Sequence, residues 1–275
     1  MMRAMIFFVA GIPWVSALAE ESLPDFNQQG ESFQTQIPTT SQEQLEKLRQ
    51  WIQVAEDGAQ LLPARVQAVN EVDYLGFHLF REEDRQEALE GLRRVVWPGA
   101  LFQPRFFGAL PYYIPTGQEP PEDLKVHALR AMSNILRRSQ PGYRYAMDWD
   151  ENTVLGLLLE YGDPTAIQLN STRVRRETVF VLYRYLQYRG ADYIRRETYQ
   201  QVIECMLKAA EQIVPVRTSH PNQDFQSFVV RVLHVLTLQN PQEPHLSQAL
   251  QNIAERAQDL DIRSFAKRNL RQRPL

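Results

Sequence analysis

Hydrophobic residues recur at helical spacing along most of this chain, and the pattern predicts an all-α protein. Leu45, Leu48, Ile52 and Ala55 follow one another at intervals of three or four residues and make one apolar stripe. From residue 121 onward the pattern is almost purely helical. After the helix that follows Ser41, the predicted helices lie near 60–80 and 82–96, and then at 121–138, 151–161, 172–188, 191–213, 223–238, 244–257 and 260–271.

Short turn sequences separate these helices, among them "PPED", "GDPT", "RGAD" and "NPQEP". Short turns place successive helices antiparallel, so the sequence predicts an irregular array of antiparallel helix pairs or, alternatively, a helical bundle. Val, Ile and Thr rarely alternate with polar residues, and the chain has only 12 glycines. Both features exclude a β-sandwich or β-barrel, which needs many turns and period-two strands.

A near-duplicate, "VRRET" at Val174 and "IRRET" at Ile194, raises the question of an internal repeat. Five helices share, with substitutions, a loose frame of an aliphatic residue followed by a basic residue, with a small residue at i+4 and an aliphatic residue at i+8. The three frame positions i, i+4 and i+8 lie on one helix face that needs neighbours to bury it. Because twenty residues are too few for a helix pair, the duplicate is predicted to mark two successive helices. The frames begin at Leu124, Val174, Ile194, Val230 and Ile262.

Two segments of the chain resemble the HEAT-repeat family of α-solenoid proteins. "NTVLGLLLEYGDPTAIQLNSTRVRRETVFVLYRYL" and "HLSQALQNIAERAQDLDIRSFAKRNL" carry the helix, turn and "(D)xVRxxA" second helix of that family. The resemblance covers about residues 121–271 and implies stacked helix pairs that expose a curved binding face. The frame intervals of 50, 20, 36 and 32 residues depart from the family's period of about 40–47 residues. A non-repeating bundle therefore stays an alternative.

The first residues predict export. Arg3 precedes an apolar run from Ala4 to about Val15, and the small residues Ala17-Leu18-Ala19 follow, as in a secretory signal peptide. An uncleaved membrane anchor is the alternative, although the run is short for spanning a bilayer. The predicted organisation is a signal peptide at 1–19, a polar tether at 20–40, amino-terminal helices with an aromatic segment at 41–120, and the helical array at 121–275. No stable membrane insertion is expected after cleavage, and the protein would be periplasmic or secreted if it is bacterial.

Charge and cysteine content exclude several kinds of protein. The net charge of −3 does not suit general nucleic-acid binding. The single cysteine, Cys205, cannot form an intramolecular disulfide or a CxxC site, and it is predicted to be a small buried residue. The five histidines show no zinc-binding spacing, and no phosphate-binding loop, dinucleotide fingerprint or nucleophile elbow occurs. No metal, cofactor or catalytic residue is predicted.

Arginines are the first candidate binding residues. Clustered arginine favours planar recognition of carboxylate or phosphate, and the double-arginine helix starts bring four such residues close together in sequence. The alternative is that the arginines pair with acidic residues of adjoining helices. The candidates are Arg175, Arg176, Arg195 and Arg196.

Aromatic residues are the second candidate group. The segment "VVWPGALFQPRFFGALPYYIP" is longer than most connections and combines aromatic residues with prolines and glycines. Aromatic side chains offer a large contact area at a low entropic cost, which suits a recognition loop. A lid over the end of the helical core is the alternative. The residues predicted to make contacts are Phe106, Phe107 and Tyr112.

Together these features predict a non-enzymatic interaction or scaffold protein that binds a protein partner in the cell envelope. The competing hypothesis is a hydrolase or lyase that acts on cell-wall or other polysaccharide with acids such as Asp148 or Asp150. No recognisable catalytic motif supports the second hypothesis, so an enzyme is the less favoured interpretation.

Overall fold

Ten α-helices and no strand make up the part of the chain that the computed structural model describes, namely residues 42–98, 119–138, 147–162, 171–188, 194–215 and 223–271. The prediction of an all-α fold is confirmed. In chain order the helices are α1 (Gln42–Glu56), α2 (Leu62–His78), α3 (Glu82–Val96), α4 (Glu122–Leu136), α5 (Met147–Tyr161), α6 (Thr172–Tyr188), α7 (Arg196–Ile213), α8 (Gln223–Gln239), α9 (Pro244–Arg256) and α10 (Leu260–Arg271).

Several helices begin at signals that the local sequence supplies. Proline occupies the first turn of α2 and of α9, where its missing N–H costs no hydrogen bond. At the start of α6 the Ser171 hydroxyl accepts the Val174 N–H at 3.2 Å. At the start of α10 the Asp259 carboxylate accepts the N–H groups of Asp261 and Ile262. Signals of this kind explain why most predicted boundaries agree with the structure.

The described helices pack as five successive pairs, α1/α2, α3/α4, α5/α6, α7/α8 and α9/α10. The second helices of the pairs also pack side by side in the order α2, α4, α6, α8 and α10. Each element therefore contacts mainly its partner and its nearest neighbours. This arrangement is the predicted array of helix pairs.

Neighbouring second helices run in the same direction. Between α4 and α6, Asp123 pairs with Arg173 at 2.8 Å and Arg130 pairs with Glu177 at 2.9 Å, so the residue order is the same on both helices. Two hydrogen bonds between α2 and α4 show the same order. Parallel second helices place equivalent positions of successive pairs next to one another along one surface of the array.

The shared frame is fully buried on only three of the five helices that carry it. All frame residues that follow from Leu124, Val174 and Ile194 are buried. On α8 and α10 the last frame residues, Leu238 and Leu270, are 39% and 42% exposed. The expectation of a buried stripe is wrong at these two helix ends, because each lies in the last turn of its helix.

The duplicate marks two consecutive helices, as predicted. "VRRET" lies on α6, the second helix of the third pair, whereas "IRRET" begins just before α7, the first helix of the fourth pair. The other frames, which begin at Leu124, Val174, Val230 and Ile262, occupy the second helices α4, α6, α8 and α10. The frame is thus mainly a property of second helices.

Two predicted helix starts are wrong. α5 begins at Met147 instead of residue 151, since acidic residues are favourable in the first turn of a helix. α7 begins at Arg196 instead of residue 191, because the backbone at Arg195 is extended, with φ −65° and ψ 149°. Residues 191–193 lie outside the described ranges.

A buried polar cluster joins the second helix pair, α3/α4, to helix α5 of the third pair. The ammonium group of Lys125 lies 2.8 Å from carboxylate oxygens of both Glu160 and Glu119. The same oxygen of Glu160 accepts the indole N–H of Trp97 at 3.3 Å. Lys125, Glu160 and Trp97 are all buried. Trp97 lies at the start of the aromatic segment and Glu119 lies just after its end, so the cluster links these two positions of the chain.

Candidate functional site

Arg175 lies among aromatic rings rather than at an open surface. Its guanidinium carbon is 4.9 Å from the ring centroid of Tyr161 and 5.0 Å from that of Phe225, and the two rings stack with centroids 5.7 Å apart. Its Nε atom is buried without a hydrogen-bond partner. Burial raises the pKa of the Tyr161 phenol, so this site is well shielded from water. Arg175 packs α5, α6 and α8 together, and its role in contacting a partner stays a prediction.

Acidic residues neutralise two other arginines of α6. Arg176 pairs with the buried carboxylate of Glu177 at 2.6 Å, and Arg130 of α4 pairs with the same oxygen. Arg173 pairs with Asp123 of α4. Arg173, which precedes the double-arginine start, thus pairs with an acidic residue of the adjoining helix. The "VRRET" helix start is largely occupied by contacts within the array.

The "IRRET" helix start is organised by one buried carboxylate from another helix. Glu151 of α5 accepts the backbone N–H of Arg195 at 2.9 Å and the hydroxyl proton of Thr198. Glu151 thus caps α7 at its positively polarised end. The side chains of Arg195 and Arg196 are exposed there. Whether Arg195 and Arg196 contact a partner stays a prediction.

The structure does not describe the aromatic candidate residues. Phe106, Phe107 and Tyr112 lie outside the described residues, and so do the side chains of Asp148 and Asp150. Their predicted roles stay predictions.

Three arginines that the sequence did not single out alternate with aromatic rings on the second helices α6, α8 and α10. Tyr183 has the guanidinium groups of Arg184 and Arg231 at 5.4 and 5.8 Å from its ring centroid. Phe265 has those of Arg231 and Arg268 at 5.3 and 5.7 Å. We call these five residues the arginine ladder. Each successive pair of arginines in it shares one ring.

Further rings support the ladder from its sides. Phe180 and Phe228 are 4.6 Å apart between centroids, and Phe228 also lies 5.5 Å from the Arg231 guanidinium carbon. Arg184 contacts Phe180 and Tyr188 in the same way. Cation–π contacts of this kind contribute about 0.5–1 kcal/mol each where solvent has access. In the described residues Arg184 and Arg231 each contact three rings, which restrain their guanidinium groups, whereas Arg268 contacts one.

The ladder arginines have no acidic partner among the described residues. No described carboxylate lies within 4.0 Å of the guanidinium groups of Arg184, Arg231 or Arg268. Arg184 donates only to Gln187 and Tyr188, both at 3.3 Å, and the Nε atoms of Arg184 and Arg231 are buried without a hydrogen-bond partner. Arg268 is exposed, and the other ladder residues are half-buried. The ladder is therefore a fixed row of positive charge without a described counter-charge.

A sequence pattern also marks the ladder, but it is less conspicuous than the duplicate "VRRET". "SFVVR" ends at Arg231 and "SFAKR" ends at Arg268, so both helices carry the pattern S-F-x-x-R. On α6, Phe180 and Tyr183-Arg184 follow the related pattern F-x-x-Y-R. In a helix, residues three or four apart share a face, so each pattern stacks an arginine on a ring. Only the parallel packing of the second helices shows that these faces align.

A groove between α7 and α9 is a concave feature of the described residues. It has a volume of about 400 Å³, with an apolar floor that includes Leu207, Ala210 and Val214 and a polar rim that includes Gln248 and Arg256. These residues belong to first helices, whereas the ladder belongs to second helices. Arg256 therefore offers an exposed arginine outside the ladder for comparison.

Neither metal-binding nor membrane-spanning features occur in the described ranges. No three His, Cys, Asp or Glu side chains there lie close enough to hold a metal ion. None of the helices there combines the length and the apolar character needed to cross a bilayer. No model of a known protein family matches the chain, and a search of curated proteins finds no match.

Proposed function

We propose that this protein is an exported, non-enzymatic binding protein that holds a protein partner of the cell envelope along the second helices of its array. The arginine ladder is the observation that carries this proposal. Arginine and aromatic residues are the side chains most enriched where protein interfaces derive their binding energy. Here four of the five ladder residues are half-buried and Arg268 is exposed, and the five are arranged across three second helices in mutual contact.

The proposed surface differs from the double-arginine starts in what its charges contact. Arg176 has Glu177 as a partner, whereas no described carboxylate lies near Arg231 or Arg268. A partner that brings carboxylates to the ladder gains charge-assisted hydrogen bonds without breaking existing ion pairs. Residues held in place before binding also lose little entropy.

Export and the HEAT-like character are parts of the same proposal. The segment from Arg3 to Ala19 has the order of a secretory signal peptide. The side-by-side order of the second helices supports the resemblance to an α-solenoid, in which one face of stacked pairs binds a partner.

Site-specific photo-crosslinking in cells tests the proposal. A photoreactive residue replaces Ser264, which is exposed and one turn from Arg268, and in a matched strain it replaces Gln251, which is exposed on α9. We expect a discrete crosslinked protein with Ser264 that is absent with Gln251. The second change Arg231→Gln should abolish this product, whereas Arg256→Gln should leave it unchanged.

Two results would contradict the proposal. Equal crosslinking from both positions would show that the second helices do not form the binding face. A Ser264 product that persists with Arg231→Gln would show that the ladder does not contribute. Circular dichroism of each purified variant checks that the helical content is retained.

A further inference from the structure

Shared aromatic rings limit the distance between successive arginines of the ladder. Arg184 and Arg231 lie within 5.8 Å of the centroid of Tyr183, and Arg231 and Arg268 lie within 5.7 Å of that of Phe265. Successive guanidinium groups are therefore at most about 11 Å apart, in keeping with the roughly 8–10 Å between the axes of packed helices. Because each arginine comes from a different second helix, we take the spacing of packed helices, roughly 8–10 Å, as the interval between them.

One backbone conformation presents side chains at the same interval along one face. A polyproline II helix has three residues per turn and rises about 3.1 Å per residue, so residues i, i+3 and i+6 share a face about 9 Å apart. In a β-strand, by contrast, residues i and i+3 point to opposite faces. A carboxylate at every third residue of a polyproline II segment can thus reach each arginine in turn.

We infer that the ligand of the arginine ladder is an acidic protein segment in the polyproline II conformation with Asp or Glu at every third residue. This inference rests on the proposed function and names the chemistry of the partner. Each guanidinium group offers paired N–H donors that match a carboxylate. A polyproline II segment is already extended before binding, so its ordering costs little.

The rings of the ladder favour a peptide over single-stranded nucleic acid. Nucleic-acid-binding proteins stack bases on open aromatic faces. Tyr183 and Phe265 each already have two guanidinium groups within 6 Å of their centroids. The net charge of −3 also gives no general attraction for a polyanion.

Fluorescence anisotropy with three labelled peptides and the intact protein tests the inference. The peptides are EPPEPPEPPE, its isomer EEEEPPPPPP and the uncharged QPPQPPQPPQ. We expect EPPEPPEPPE to bind about tenfold more tightly than the clustered isomer, and QPPQPPQPPQ not to bind. Arg231→Gln and, separately, the exposed Arg268→Gln should each weaken EPPEPPEPPE at least about fivefold, whereas Arg256→Gln should not.

The outcomes separate this inference from the proposed function. Equal affinity for the two acidic isomers would overturn the spacing argument. Binding of an oligothymidylate that is tighter than that of EPPEPPEPPE and sensitive to Arg231→Gln would overturn the choice of a protein ligand. If one of these two binding results is obtained while the Ser264 crosslink still requires Arg231, only the inference about the ligand fails. If the Ser264 crosslink does not require Arg231, the proposed function itself fails.

Discussion

Gly156 of α5 lies against the indole ring of Trp97, which is almost completely buried. Alanine is normally more favourable than glycine in a helix, by about 0.5–1 kcal/mol. A Cβ at Gly156, however, would lie 2.8 Å from the Trp97 Cε2 atom, and a buried indole ring cannot move aside easily. We expect Gly156→Ala to lower the free energy of unfolding by about 1–3 kcal/mol, as overpacking does.

Urea denaturation followed by tryptophan fluorescence measures this change. Gly58→Ala is the matched control, because a Cβ there meets no atom within 4 Å. The control should stay within about 0.5 kcal/mol of the parent. If both alanine variants are equally stable, Trp97 does not pack on α5 as described.

Partial burial of Asp73 on α2 disfavours the charged form of its carboxyl group. Burial raises the pKa of Asp73, although the 2.9 Å hydrogen bond from the Asn134 amide and the charge of Arg130 lower it in part. Asp73→Asn keeps an acceptor for Asn134 and removes the charge, so the variant should be more stable than the parent at pH 7.

This gain should shrink as the pH falls. With a folded-state pKa above the unfolded value, the folded parent takes up a proton first and gains stability relative to the unfolded chain. Below the unfolded value both states are protonated, and the electrostatic difference from Asn is lost. Urea midpoints of parent and variant at pH 7, 5 and 3.5 measure the trend. A less stable variant at pH 7 would show that the attraction to Arg130 outweighs burial.

The arginines were selected because several of them lie close together in the sequence. Closeness in sequence does not show which acidic side chain each arginine contacts in the folded protein. Arg176 was selected, but Glu177 next to it forms its ion pair. Arg231 was not selected, because its helix contains few other charges and two of its three rings come from α6 and α10. The contribution of neighbouring helices to a site is a tertiary property, so S-F-x-x-R becomes informative only when the second helices are known to be parallel.

At the level of elements, the sequence predicts helix boundaries where the capping group is local. α6 begins at Thr172 as predicted, with its cap from Ser171. The start of α7 was wrong because its capping carboxylate belongs to Glu151, which precedes it by more than forty residues. Apolar periodicity and turn residues give the helices and their order, whereas pairing between helices depends on packing that a single sequence does not show.

The buried Lys125–Glu160 pair links α4 to α5. Lys125→Met leaves the Glu160 carboxylate buried without its charge partner, and this kind of change costs about 3–5 kcal/mol. Lys47→Met is the control, because Lys47 and Glu43 form an exposed ion pair, and exposed ion pairs contribute little to stability. Thermal and urea unfolding of both variants measure the difference.

A double variant separates loss of the pair from loss of the lysine side chain. If the buried charge causes the cost, Lys125→Met with Glu160→Gln should be more stable than Lys125→Met alone, since glutamine still accepts the indole N–H of Trp97. Additive destabilisation by the two changes would contradict this explanation.

In the array as a whole, each helix contacts mainly its neighbours, so each part of the chain is expected to contribute separately to the free energy of unfolding. In the described residues α9 and α10 pack on each other, on α7 and on α8, whereas α1 packs on α2 and α3. In such arrays the free energy is close to a sum of terms for each pair and for each interface between pairs. A change at one end should therefore affect local unfolding only near that end.

Hydrogen exchange of two cavity variants tests this locality. Leu250 of α9 and Leu48 of α1 are both completely buried, and truncation to alanine costs about 2–5 kcal/mol at such sites. We expect Leu250→Ala to accelerate amide exchange in α7 to α10 and to leave α1 to α3 nearly unchanged, with the reverse pattern for Leu48→Ala. In a single cooperative bundle, exchange through global unfolding would rise in all helices for both variants. Uniform acceleration would thus show that the ladder helices unfold together with the rest of the chain, whereas local acceleration would let a partner on α6, α8 and α10 stabilise that end alone.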